Sequence, residues 1–219
     1  MPLLLHEYLE PEGELGLWRI QEPESWFRLH LHLQPAEEAQ LAQIKGRRRV
    51  EWLAGRWLLH HMSGRSLRTA CVKDEFGKPH LQGSLYDISM SHSHELAAVI
   101  ASPRAVGIDI QYLVEKIGRI AHKFMRREEM DCLHTEHRLQ HLHVFWGAKE
   151  CLYKAHGRRQ LDFRQHIHID PFDYVPEGGA ITGHIRRGEE ALDYRLFYRL
   201  EAEYMLVYGW EDIGDVRIA

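Results

Sequence analysis

Asp109 and Glu150 are the residues whose types and settings most clearly invite chemistry. Asp109 stands in Val106-Gly107-Ile108-Asp109-Ile110-Gln111, where an acid interrupts an apolar run that reads as a buried strand. Alternation puts Gly107, Asp109 and Gln111 on one strand face and Val106, Ile108 and Ile110 on the other, with room beside the acid at Gly107. Glu150 stands in Trp146-Gly147-Ala148-Lys149-Glu150-Cys151-Leu152-Tyr153-Lys154-Ala155. There Trp146, Lys149, Glu150, Tyr153 and Lys154 follow helical spacing along one face. A carboxylate removed from water needs a partner, and a divalent cation is a common one. The plain alternatives are a strand with one wet face and a surface Glu150–Lys154 pair worth a few tenths of a kcal/mol. Two aromatic residues beside Glu150 argue instead for partial burial, where unused charge is expensive.

These residues need elements to hold them. Strands are expected at Met1–His6, Leu15–Ile20, within Tyr86–His94 as a strand running into polar loop, Glu95–Ala101 and Ala105–Ile110. Ser25 is a candidate cap for a short helix, and Pro35-Ala36-Glu37-Glu38 opens another. Apolar spacing from Lys45 to Ser63 predicts a long helix ended by Gly64. The turn Ser102-Pro103-Arg104 suits a hairpin between its flanking strands. Helices follow at Ile117–Phe124 and from Arg127 through Glu150, then strands at Phe163–Ile169, Gly179–Ile185, Tyr194–Leu200 and Tyr204–Trp210. Each half runs strand, helices, strands. The expected class is α+β, a pseudo-duplicated pair of subdomains over residues 1–103 and 104–219, with no sequence repeat to support it.

Composition narrows the roles. At 219 residues the chain suits one substantial domain or two small ones. A net charge of −4 argues against nucleic acid as a partner, although Lys45-Gly46-Arg47-Arg48-Arg49 is a local basic run able to grip a phosphate. Cys71, Cys132 and Cys151 have no paired spacing, which disfavours a disulfide scaffold or zinc ribbon and suits a reducing cytoplasm. Neither a signal pattern nor a long uncharged apolar run is present, so no membrane role is expected.

The two segments together resemble the signature of the 4′-phosphopantetheinyl transferase superfamily, of the surfactin-synthetase-activating type. That signature is Gly-Ile-Asp, then about forty residues later Trp-x-x-Lys-Glu-x-x-x-Lys. Here it stands as Gly107-Ile108-Asp109 and Trp146 to Lys154. Phe76-Gly77-Lys78-Pro79 looks like the family's Gly-Lys-Pro turn. Ser89-Met90-Ser91-His92-Ser93 looks like its Asn-x-Ser-His-Ser loop with Ser89 for Asn, and Phe124 with Glu129 resembles its Phe…Glu segment. The resemblance runs from about Arg47 to Gly157.

It implies two α+β subdomains with the active site at their interface. The implied reaction moves the phosphopantetheine arm of coenzyme A to a serine of an apo acyl or peptidyl carrier protein, magnesium-dependent, releasing 3′,5′-ADP. Asp109 and Glu150 would hold the metal. Gln111 replaces the second acid of an Asp-x-Glu pattern and would offer a carbonyl oxygen or hold a metal-bound water. Lys154 and Lys149 would meet the phosphates, and Glu150 or Glu129 would take the serine proton. Ser91, His92 and Lys78 match coenzyme A positions. Arg49 is favoured over Arg48 and Arg56 for the 3′-phosphate. A single chain holding both halves is expected to be a cytoplasmic monomer.

Two rivals stand beside this reading. Histidines 134, 137 and 141 share helical spacing, and His166-Ile167-His168-Ile169-Asp170 sets two histidines and an acid on one strand face, which superficially suits a metallohydrolase. No acidic or Gly-rich partner motif accompanies them, so surface histidines are the better reading. A non-catalytic carrier-binding module is disfavoured because it has no need of Asp109, Lys149, Glu150 and Lys154 together.

Overall fold

A computed structural model describes residues 2–10, 13–158 and 160–214. The elements run β1 Leu3–Tyr8, β2 Glu14–Arg19, α1 Glu24–Leu31, α2 Pro35–Ala42, α3 Arg48–Met62, β3 Cys71–Lys73, β4 Pro79–Leu81, β5 Asp87–Ser93, β6 Leu96–Ser102 and β7 Val106–Tyr112. They continue with α4 Ile117–Phe124, α5 Arg127–Asp131, α6 Arg138–His156, β8 Ile167–Ile169, β9 Gly179–Arg187, β10 Glu190–Glu201 and β11 Tyr204–Glu211. The class is α+β, with two antiparallel sheets ordered β1-β2-β6-β5-β4-β3 and β7-β11-β10-β9-β8. Two compact units result, Met1–Arg104 and Ala105–Ala219.

In the first unit α3 lies on the sheet and buries Leu53, Ala54, Leu58 and Met62 against Ala97, Val99 and Ile88. Gly55 lets the helix come close to Met90 on β5. In the second unit α6 crosses the inner face of β7 and β11, and its Leu142, Phe145, Ala148, Cys151 and Leu152 join Ile167, Ile185, Leu196 and Val207 in the core. Gly157, at φ +72°, ends α6 in the left-handed conformation that glycine adopts without a Cβ clash.

Four expectations are corrected. Ser102-Pro103-Arg104 is not a hairpin turn, because β6 and β7 belong to different sheets. Ser91 to Ser93 lie within β5 rather than in a loop, paired with β6 up to Ser93–Leu96, and the chain turns only at His94, φ +53°. The helix expected from Arg127 to Glu150 is broken after Asp131 and restarts at Arg138. The strand expected from Phe163 shrinks to Ile167–Ile169, preceded by turns tied by the Asp162 carboxylate to the Arg164 and Gln165 amides at 2.9 and 2.8 Å.

Glycine sets the distance between α6 and β7. A Cβ at Gly107 would stand 2.0 Å from the backbone oxygen of Cys151. One at Gly147 would stand 2.7 Å from the Val207 side chain and 3.0 Å from Nε2 of Gln111. Backbone cannot yield as a flexible side chain does, so Gly107→Ala must push helix and strand apart. The substitution is expected to cost about 3 kcal/mol or somewhat more, read as a lowered urea midpoint at unchanged slope. A loss under about 1 kcal/mol would show that the contact relaxes.

Candidate active site

The close crossing of α6 and β7 brings Asp109 and Lys154 together. Lys154 Nζ lies 2.7 Å from Asp109 Oδ1 and donates to the Ile108 carbonyl at 2.8 Å. Asp109 is buried, and Lys154 is about a quarter exposed. Burial works against the lysine charge, but Asp109 beside it and Glu150 nearby outweigh that and raise its pKa above the usual value. The side chain of Glu150, one turn earlier on α6, makes no hydrogen bond among the described residues. Burial first, then the negative charge of Asp109, pushes its pKa up, against the opposing pull of Lys154.

Two carboxylates thus share one ammonium. Among the described residues no three His, Cys, Asp or Glu side chains form a group able to hold a metal. Asp109 and Glu150 alone fit a hard cation that draws its other ligands from water and phosphate, the usual composition of a magnesium site. The surplus negative charge and the unbonded Glu150 are what such a cation neutralises.

Gln111 enters the site differently from the sequence expectation. His143, buried on α6, accepts the Val114 amide hydrogen at Nε2, 3.0 Å, so its Nδ1 carries the proton and donates to Gln111 Oε1 at 2.8 Å. That bond turns the amide over. Gln111 Nε2 donates to Asp109 Oδ2 at 3.2 Å and to the His143 carbonyl at 3.0 Å. Gln111 therefore reaches Asp109 as a donor, and its oxygen is spent on His143 rather than offered to a metal. Burial lowers the His143 pKa, in keeping with a neutral ring in this role.

Lys149 and Glu129 are also corrected. Adjacent helix positions differ by about 100° in direction, so Lys149 points away from the side that carries Glu150. Its ammonium, fully buried, is 2.9 Å from Glu129 Oε2 and donates to the carbonyls of Phe163 and Ile167 at 2.8 and 2.9 Å. Glu129 in turn accepts the amides of Arg126 at 2.7 Å and Ile169 at 3.0 Å. Three donors meet three acceptors, and neither residue is left to bind a phosphate or take a proton. Burial pulls the Lys149 pKa down, against the attraction of Glu129.

In the first unit, His92 on β5 is half-exposed and its Nδ1 lies 3.1 Å from Glu51 of α3. Arg47, which the sequence reading passed over within its basic run, donates to the His94 carbonyl at 2.7 Å and lies 3.7 Å from Glu51. Its spacing of four from Glu51 was the available signal. Ser91 is buried, and Lys78 is held by Asp87 at 2.8 Å. Arg49 is not free for a phosphate. It grips Glu24 through two bonds of 2.8 and 2.7 Å and donates to the Leu41 and Ile44 carbonyls, tying α1 and α2 to α3. Arg48 is exposed. Arg56 is buried on the side of α3 facing Glu37 and Cys71, away from His92.

Among the described residues the histidine-rich stretches form no cluster of three His, Cys, Asp or Glu side chains that could hold a metal ion. His134 and His137 precede α6, and His141, expected at the surface, is fully buried among Phe145, Phe172 and Tyr174. Burial drops its pKa to about 4. His168 is half-buried on β8, whose Ile167 and Ile169 turn inward.

A strand acid and a helix acid thus stand near one lysine on a glycine-spaced crossing. Residues 105–200 match the family model of the 4′-phosphopantetheinyl transferase superfamily. The second unit is a domain of that superfamily. The chain is also similar to the 4′-phosphopantetheinyl transferase AcpT of Escherichia coli strain K12, at 29% identity over 120 residues, 52% of this chain and 60% of that protein. The AcpT of Escherichia coli O157:H7 matches at 29% over 121 residues, with the same shares. The chain thus aligns with about 60% of the length of these curated relatives. No helix among the described residues is long and apolar enough to cross a membrane.

Proposed function

We propose that this chain transfers the 4′-phosphopantetheine arm of coenzyme A to a serine hydroxyl of an apo acyl or peptidyl carrier protein, in the manner of the surfactin-synthetase-activating type. The observation that carries the reading is the Asp109–Lys154–Glu150 arrangement within the matched domain. Asp109 and Glu150 would hold magnesium, which supplies charge neutralisation and polarisation of the coenzyme A diphosphate when bound. The serine oxygen attacks the phosphorus that bears the pantetheine, the bond to the second phosphate breaks, and 3′,5′-ADP leaves. Lys154 faces the charge that builds on the departing phosphate. Glu150 is the carboxylate placed to accept the serine proton, directly or through a water, since Glu129 is spent on Lys149. Gln111, held by His143, keeps Asp109 turned toward Lys154.

His92, Ser91, Lys78 and Arg47 of the first unit are assigned to coenzyme A, with Arg47 taking the place expected of Arg49. The reading includes a monomer working in the cytoplasm, which gel filtration and fractionation check. The decisive test is mass spectrometry of apo carrier proteins incubated with coenzyme A, magnesium and the full chain. A gain of one phosphopantetheine on the carrier serine is the expected result. No gain across acyl and peptidyl carriers, with the chain folded, would defeat the proposal.

A further inference from the structure

At the end of β5 opposite His92, the first unit has a partly open cavity of about 160 Å³ between the last turn of α3 and the β3–β4 edge. Tyr86, on its wall, precedes His92 by six strand residues, about 20 Å. The cavity is therefore well removed from His92, and none of His92, Ser91, Lys78 and Arg47 is among its lining residues. Its lining includes Leu59, Met62 and Leu81 together with Arg56 and Arg68.

The charges there do not balance. Glu37, with no exposed surface, accepts both terminal nitrogens of Arg68, the Cys71 amide at 3.1 Å and the Gln34 amide at 3.1 Å. That carboxylate is saturated. Arg56, 3% exposed, stands 3.8 Å from it through Nε, too far for a hydrogen bond, and that Nε–H makes no other. Arg56 donates only two long bonds, to the Trp52 and Cys71 carbonyls at 3.3 and 3.2 Å, and rests on the Trp52 ring. Two buried cations share one anion, and a buried charge without a full partner is costly. Burial lowers the Arg56 pKa to about 10, which still leaves it charged at neutral pH. His60 and Arg65 add basic groups at the wall. The one acid there, Glu14, is bonded to His6 at 2.8 Å.

We propose that this cavity is a binding site for a small organic carboxylate with a compact apolar body, its carboxylate on Arg56 and its body against Leu59, Met62 and Leu81. Planar guanidinium groups suit a carboxylate, and a cavity of this volume admits a body about the size of benzene.

Benzoate is the probe, titrated into the full chain with side-chain Nε–H signals of arginine followed by NMR and the melting temperature recorded. The expected result is a saturable shift of the Arg56 Nε–H and a rise of about 4 °C at ten times Kd. Benzyl alcohol and coenzyme A at equal concentration leave the Arg56 signal in place. Arg56→Met loses the melting response. Leu81→Trp, which fills the cavity and keeps the arginine, loses both responses and covers the case in which the first variant does not fold. The proposal is overturned if benzoate up to tens of millimolar moves neither readout. It is also overturned if benzyl alcohol acts equally, if coenzyme A moves the Arg56 signal, or if Leu81→Trp still responds.

Discussion

Glu150→Gln is expected to lower phosphopantetheine transfer by at least about 1,000-fold, equivalent to some 4 kcal/mol of transition-state stabilisation. The same change should leave the fold intact and, without magnesium, make it more stable at neutral pH. The sign follows from the raised pKa of Glu150, which burial and Asp109 impose. A native carboxylate with a raised pKa holds its proton more tightly than the unfolded one, so stability falls as pH rises through that pKa. Below the ordinary carboxylate value both states are protonated and the effect vanishes. The variant therefore gains over the natural chain at pH 7, and the gain shrinks as pH drops toward 4. Saturating magnesium should close the gap at pH 7 from the other side, by stabilising only the natural chain. Thermal melts at both pH values, with and without magnesium, check this. A Glu150→Gln chain that transfers within tenfold of normal would remove Glu150 from the reaction.

Lys149→Met is expected to cost about 3–5 kcal/mol, because it leaves Glu129 charged, buried and without its cation. The apolar part of the methionine fills most of the space, so the loss reports charge rather than volume. Lys149→Met combined with Glu129→Gln should recover part of this, since no buried charge is left, although the single glutamine oxygen accepts only one of the Arg126 and Ile169 amides, which go to different oxygens of Glu129. Denaturant titration of the two variants reads the difference. Equal stability of single and double variants would show that the pair does not hold α6 to the segment before β8.

The α+β class and the run of strands in both units were legible because each rests on local pattern. Alternation marked β7, helical spacing marked α6, and an acid in an apolar strand marked the site. What stayed hidden depends on which neighbour a side chain meets. Lys149 and Glu150 looked equivalent on one helix face, yet Lys149 turns to Glu129, twenty positions back, and Glu150 turns to β7. Arg49 and Arg56 looked like phosphate ligands, yet both serve or strain the helical layer. Gln111 looked like a substitute metal ligand, and only the ring of His143 decides which end of its amide faces Asp109. The hairpin expected at Pro103 failed because turn chemistry does not say which sheet the next strand joins.

The bond from Lys154 to Asp109 Oδ1 makes the ammonium a placeholder in the position a metal would use. A divalent ion held by Asp109, as proposed, would displace it, at the cost of breaking a charge-assisted pair. An incoming diphosphate offers that ammonium a new anionic partner and releases the oxygen. Under the proposed reaction cation and nucleotide would thereby be linked heterotropically, each raising the affinity of the other by the same factor. Calorimetric titration of magnesium with and without 3′,5′-ADP should show this coupling. It should disappear in Lys154→Met, and equal magnesium affinity in both titrations of the natural chain would refute it.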